Sequence, residues 1–246
     1  MPVTVDGAGI PSWEDQVKSI VRRRYTYLAE ADAFPPGGAD RARDAGYPSD
    51  WLARLPAPLA SAWCGCGFAL DGVDLSKVRL AIDLGCGAGI DACLVAQLLE
   101  PDARLIALDL SPSMAVRARQ AAAGLGVSSV CPLAGDMERL PIADSVADLV
   151  LANASFNLTL DKGLAFSEAA RILRPGGLLV ARDLVRVGPL PIELAENPMA
   201  WNASLGGVLE EPDLYEQVCA AGFSDVRISD HRPFSVVVSV LVQARR

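Results

Sequence analysis

The sequence predicts an α/β chain: a doubly wound, mostly parallel sheet of seven strands that ends in an antiparallel strand and follows an N-terminal helical cap. Three observations predict it. From Val78 onward, short apolar runs alternate with segments of helical period, the rhythm of β–α–β units. A glycine-rich turn, Gly85-Cys86-Gly87-Ala88-Gly89, joins the first apolar run to the first helical one. The last two strands are separated by a hairpin-like gap, which suits an antiparallel pair. The 246 residues are 51% hydrophobic and 21% charged, a globular composition that excludes a disordered or collagen-like chain.

The elements follow in order. Residues 12–33 read as a helix, with Trp13, Val17, Ile20, Val21 and Leu28 near helical spacing and Arg22–Arg24 as a basic patch. Pro35-Pro36-Gly37-Gly38 ends it, and the stretch to Pro48 is polar and loop-like. A short helix is expected over 49–60. Residues 1–75 form the cap, and 76–246 the main domain. There the strands are 78–84, 104–108, 129–133, 147–152 and 178–182, with helices at 90–99, 111–125 and 161–173 between them. Ser111-Pro112 and Asp161 start helices, and Pro175-Gly176-Gly177 stops one. Residues 184–210 are too long for a simple connection and read as a lid. A helix over 211–221 and strands over 225–230 and 234–242 finish the chain, with His231-Arg232-Pro233 as the gap.

Charge and cysteine content narrow the partners. The 22 basic and 30 acidic residues give a net charge of −8, which repels nucleic acid and anionic membranes. No apolar run approaches the roughly 20 residues of a membrane span. Asp6, Glu14 and Asp15 leave no room for a secretory signal, so a reducing, cytoplasmic setting with six free thiols is expected. A single histidine disfavours a metal centre, and none is expected. The expected partner is a small molecule, and the chain a monomer or homodimer.

Chemistry concentrates at the strand ends. Glycines 85, 87 and 89 let the backbone turn tightly and approach a ligand, beside Asp83. The pattern is neither the six-position dinucleotide fingerprint nor a phosphate loop. Asp109 ends the second strand, where a carboxylate accepts from a ribose diol; Leu110 and Met114 flank it. Asp136 and Met137 follow the third strand, suited to an exocyclic amine and a purine face. Asn153 ends the fourth, next to the first strand in a doubly wound order. Together they fit S-adenosylmethionine better than NAD, against a nicotinamide oxidoreductase.

This ordered set resembles the class I S-adenosylmethionine-dependent methyltransferases: Asp83 to Gly89, Asp109, Asp136, Asn153 and the Arg174-Pro175-Gly176-Gly177 turn. The resemblance covers about residues 78–242 and implies a Rossmann-like fold. Gly46-Tyr47-Pro48-Ser49, Leu55-Pro56, Gly65-Cys66-Gly67, Asp136 to Pro141 and Asn153 through Asn157-Leu158 to Asp161-Lys162 resemble arsenite methyltransferases more narrowly. Those enzymes hold trivalent arsenic in thiolates. Cys66 keeps one; Ala154 replaces a second, and Asn202-Ala203-Ser204 a third.

Candidate catalytic residues are Tyr47, Asp183 and His231; Cys66, Asn157, Met199 and Trp201 are candidates for the acceptor. Tyr25 and Tyr27 are placed to close over the cofactor. Lys162 reads as a solvated charge, and Cys93, Cys131 and Cys219 as buried apolar positions. The function expected is methyl transfer to a small organic molecule. The alternatives are arsenite methylation through Cys64 and Cys66, and a cofactor-binding homologue that does not methylate.

Overall fold

The computed structural model describes residues 11–189 and 197–246. One sheet contains β1 (Leu80–Leu84), β2 (Arg104–Asp109), β3 (Val130–Ala134), β4 (Ala147–Asn153), β5 (Leu173–Arg186), β6 (Leu209–Glu210), β7 (Ser224–Phe234) and β8 (Val237–Arg245). The order is β3-β2-β1-β4-β5-β8-β7, and β6 pairs with the far end of β5. Strands β1 to β5 are parallel; β8 runs antiparallel to both β5 and β7. The central strands are covered on both faces, which is why Ala81, Ile82 and Leu149 to Ala152 are uniformly apolar and buried. The sheet reverses direction of growth between β1 and β4, so their carboxyl ends open a crevice.

Helices cover both faces. On one side α5 (Ile90–Ala96) and α6 (Pro112–Gly124) share a core with residues 42–78. On the other, α7 (Lys162–Ile172) and α8 (Glu211–Ala220) bury Phe166, Ala169, Leu214 and Val218. Both expected helix starts form: Ser111 Oγ accepts from the Met114 amide, and Asp161 Oδ1 from the Leu164 amide at 2.8 Å. Ahead of the sheet lie α1 (Trp13–Ala31), α2 (Gly38–Asp44), α3 (Ser49–Leu52) and α4 (Ala57–Ser61). Ser12 caps α1, accepting from the Asp15 amide at 3.1 Å. Val17 and Val21 of α1 pack on Trp201, and Leu28 and Ala29 on Met114, so the helix lies across the carboxyl edge of the sheet.

Several expectations are corrected. The polar stretch before Pro48 contains α2, whose Ala42 is buried in the core; one apolar contact per turn leaves little periodic signal. The helix over 49–60 is two, split before Pro56, which cannot donate to a continuing helix. Helix α7 ends at Ile172, and Pro175-Gly176-Gly177 lies inside β5 where its register on β4 shifts. His231-Arg232-Pro233 belongs to β7, and the hairpin turns at Ser235-Val236. Lys162 is buried, not solvated, and Cys131 on edge strand β3 is exposed, while Cys219 is half-buried. The expected lid opens as the end of β5, and its residues 190–196 lie outside the described residues. No helix among the described residues is long and apolar enough to cross a membrane.

Candidate active site

Four strand ends converge on one cavity. Its wall includes Asp83 of β1, Asp109 of β2, Asp136 beyond β3 and Asn153 of β4. The turn after β1 is held from two sides: the Gly85 and Cys86 amides donate to the Leu108 carbonyl, and the Gly87 amide to Asp109 Oδ2 at 2.9 Å. Gly87 has φ +53, and a Cβ there would meet nothing within 4 Å, so this turn presents bare backbone to open space. Asp109 Oδ1 accepts from the Ser111 amide at 2.8 Å, leaving lone pairs toward the cavity.

Beside this turn stands a second carboxylate, Asp91 at the start of α5. Tyr47 Oη donates to Asp91 Oδ1 at 2.6 Å. The Asn153 amide nitrogen lies 2.9 Å from Asp91 Oδ2, 2.9 Å from Tyr47 Oη and 2.8 Å from the Gly67 carbonyl. Its carbonyl oxygen accepts from the Cys66 amide at 2.9 Å. One side chain thus ties the segment before the sheet to β4 and α5. A Cβ at Gly65 would come within 2.6 Å of Asn153 Oδ1, so this approach requires glycine.

Helix α1 roofs the cavity beside Asp136. Lys18 Nζ lies 2.9 Å from Asp136 Oδ2 and 2.6 Å from Glu138 Oε2. Burial alone would lower the Lys18 pKa, but Glu138, Asp136 and Glu14 hold the ammonium above its ordinary value. Glu138, buried, accepts from the Leu160 amide as well. Tyr25 and Arg22 of the same helix also border the cavity.

The remaining acids are buried, and burial raises the pKa of each. Asp83 is 2% exposed, and its Oδ2 has no hydrogen-bond partner among the described residues. Burial, then the neighbouring Asp91 and Asp109, pushes its carboxyl well above the usual range. Burial raises Asp91 too, against the opposing bonds from Tyr47 and Asn153. Asp109 is pushed up to about 6 by burial, with the Ser111 and Gly87 amides opposing. A buried acid cluster of this kind favours a ligand bearing positive charge and hydroxyl donors.

The cavity gathers Asp83, Gly85, Gly87, Asp109, Leu110, Met114, Asp136, Met137 and Asn153 from the sequence-derived set. Gly89 stands behind it, against Ala118 of α6. Tyr47 reaches it only through Asp91 and Asn153. Asp183 lies off the cavity, accepting from the Asn157 and Leu184 amides, and it faces the buried Lys162. His231 is at the surface, 2.7 Å from Glu211. Of the acceptor candidates none borders the cavity. Cys66 is 1% exposed behind it, Asn157 donates to the Ser204 carbonyl, Trp201 packs under α1, and Met199 is 55% exposed. Tyr25 is at the wall, while Tyr27 points to solvent. Sequence reasoning missed Lys18, Arg22, Phe34, Trp63 and Asp91 as wall residues. Only Asp91 had a local signal, as the acid closing the glycine turn.

Comparison with known proteins agrees with this fold. A family model described as a methyltransferase domain matches residues 76–222. An arsenite methyltransferase of Halobacterium salinarum is 29% identical over 232 residues, 87% of this chain and 59% of that protein. The chain therefore spans about three fifths of that relative's length. A malonyl-(acyl-carrier protein) O-methyltransferase of Hahella chejuensis is 40% identical over 128 residues, 51% of this chain and 42% of that protein. The crystal structure of an arsenic(III) S-adenosylmethionine methyltransferase from Chlamydomonas reinhardtii superposes with a TM-score of 0.69 at 25% identity, covering 86% of this chain and 73% of that one. Strand order, glycine turn and matched residues lead to one conclusion: the chain belongs to the methyltransferase domain family.

Proposed function

We propose that this chain transfers a methyl group from S-adenosylmethionine to a small organic molecule. The observation that carries this reading is the unpartnered, buried Asp83 oxygen beside a bare-backbone turn, in one cavity with Asp109 and Asp136. Asp83 takes the cofactor's ammonium, Asp109 the ribose diol, and Asp136 with Met137 the adenine. When bound, S-adenosylmethionine supplies a methyl already activated by its sulfonium. The chain's own residues then orient and dehydrate. Helix α1, latched by Lys18 and seated on Trp201, acts as a cap that excludes water. Orientation of this kind supplies roughly 7–11 kcal/mol without an acid–base group. Tyr47 holds Asp91, and neither Asp183 nor His231 is given a step. Six unpaired cysteines accord with a reducing, cytoplasmic setting.

Arsenite is the second reading, favoured by the relatives and by Cys64 at the cavity wall. Against it, burial pushes the Cys64 and Cys66 thiols up, Cys66 lies behind the wall, and no group of three metal-ligating side chains forms among the described residues. Calorimetry with S-adenosylhomocysteine, then with sodium arsenite, separates the readings. Binding of the first alone is expected. No heat from S-adenosylhomocysteine at millimolar concentration overturns the cofactor assignment. Stoichiometric arsenite binding that is then methylated makes arsenite the acceptor. Bound cofactor with no methylated product in any acceptor screen leaves the non-methylating homologue.

The acids set a pH dependence. The diol donates best to ionised Asp109, so this group's contribution to cofactor affinity is greatest above a pH of about 6. It falls as pH drops through that value, by at most about tenfold per pH unit for this group. Asp83 and Asp91, also raised, add to the fall. Titration of the native chain from neutral to about pH 5 checks this, and Asp109→Asn is expected to flatten the curve.

A further inference from the structure

The cavity has an arrangement that the cofactor does not require. Three aromatic rings line it: Tyr25 of α1, Phe34, and Trp63 after α4. Each carries a guanidinium over its face. Arg24 lies 5.5 Å from the Tyr25 centroid, Arg41 5.5 Å from that of Trp63, and Arg117 5.4 Å from that of Phe34. The three rings border the cavity, and Arg24, Arg41 and Arg117 do not.

Their places are fixed. Arg41 donates to the Pro35 and Trp63 carbonyls at 3.1 and 2.9 Å. Arg117 donates to the Ala29 carbonyl and pairs with Asp32, and Arg24 donates to Ser204 Oγ. A cation on one face of a ring draws on its negative quadrupole, and a second cation on the opposite face is repelled. The three rings therefore resist a positively charged acceptor and suit a planar, electron-rich one.

The other charges point the same way. Arg22 borders the cavity and is exposed, and no carboxylate pairs with it among the described residues. Of the wall's carboxylates, Asp136 and Glu138 pair with Lys18, Asp91 is held by Tyr47 and Asn153, and Asp109 accepts from two amides. Asp83 alone among them has a buried oxygen with no hydrogen-bond partner among the described residues, and the proposed cofactor's ammonium uses it.

We infer that the ring-lined part of the cavity selects a planar organic anion, in class an aromatic carboxylate or phenolate, and rejects protonated amines. The inference rests on the cofactor reading above. Its test uses the full chain saturated with S-adenosylhomocysteine and three isosteric probes: 4-hydroxybenzoate, 4-hydroxybenzyl alcohol and 4-hydroxybenzylamine. Calorimetry is expected to rank them in that order, with the carboxylate at least about tenfold tighter than the amine. In the chain saturated with S-adenosylhomocysteine, Arg22→Glu is expected to weaken the carboxylate about three- to tenfold relative to the alcohol. An amine bound as tightly as the carboxylate overturns the inference, as does an Arg22→Glu chain with unaltered preference, or no binding of any probe. These failures leave the cofactor reading standing, because S-adenosylhomocysteine is titrated first. Failure at that first step removes both.

Discussion

Asp109→Ala is expected to lower S-adenosylhomocysteine affinity by about 1–3 kcal/mol, roughly 5- to 150-fold, while the chain still folds. Both oxygens of this carboxylate are anchored by amides from the two loops flanking the crevice, so its position is set before a ligand arrives. What a diol gains there is two charge-assisted hydrogen bonds without reorganisation. The effect on stability has the opposite sign. Burial raises the Asp109 pKa in the folded chain, so the native state binds its proton more tightly than the unfolded state does. At neutral pH the ionised group therefore opposes folding, and removing it relieves that cost. The Ser111 amide, buried, loses its acceptor and offsets part of the gain. The free variant is expected to melt within a few degrees of the native chain. Its stabilisation by added S-adenosylhomocysteine is expected to shrink, since that increment follows the ratio of ligand concentration to Kd. Unchanged affinity would remove Asp109 from the cofactor site.

The parts of this arrangement legible in the sequence are the local ones. Gly85 to Gly89 stand in one turn, and Asp109 and Asp136 each end or follow a strand whose apolar run is plain. The alternation of those runs was enough to predict a mostly parallel sheet, because parallel neighbours need helical crossovers. What stayed hidden depends on side chains distant in sequence. Lys18 and Asp136 are 118 positions apart, and nothing in the helix around Lys18 marks it as a latch. Lys162 opens a helix with polar neighbours, which reads as surface. It is buried because Trp201 stacks near its ammonium and the Thr159 carbonyl accepts from it. Helix α2 escaped notice because only Gly38 and Ala42 of its seven residues are buried. The guanidiniums over Tyr25, Phe34 and Trp63 were equally silent, since an arginine and an aromatic carry no spacing rule unless they share a helix.

Asn153→Ala is expected to be the most disruptive single truncation at the crevice, lowering unfolding free energy by about 2–4 kcal/mol. The side chain's amide serves the Gly67 carbonyl, Tyr47 and Asp91, and its carbonyl serves the Cys66 amide. Alanine leaves an acceptor at Gly67 and a donor at Cys66 with no partner, and both lie where the chain is shielded from water. Asp91, already raised by burial, loses one of its two donors and becomes costlier to ionise. Urea unfolding measures the loss, and Tyr47→Phe provides the graded control. That variant removes one hydrogen bond to Asp91 but leaves the Asn153 contacts with Gly67 and Cys66, so about 1 kcal/mol is expected. The two residues touch, so their effects are expected to be non-additive in the double variant. A double-mutant cycle with no coupling would mean that Asn153 and Tyr47 do not form one unit. Coupling, together with weakened S-adenosylhomocysteine binding in Asn153→Ala, would show that the segment before the sheet builds the cofactor pocket and does not merely cover it.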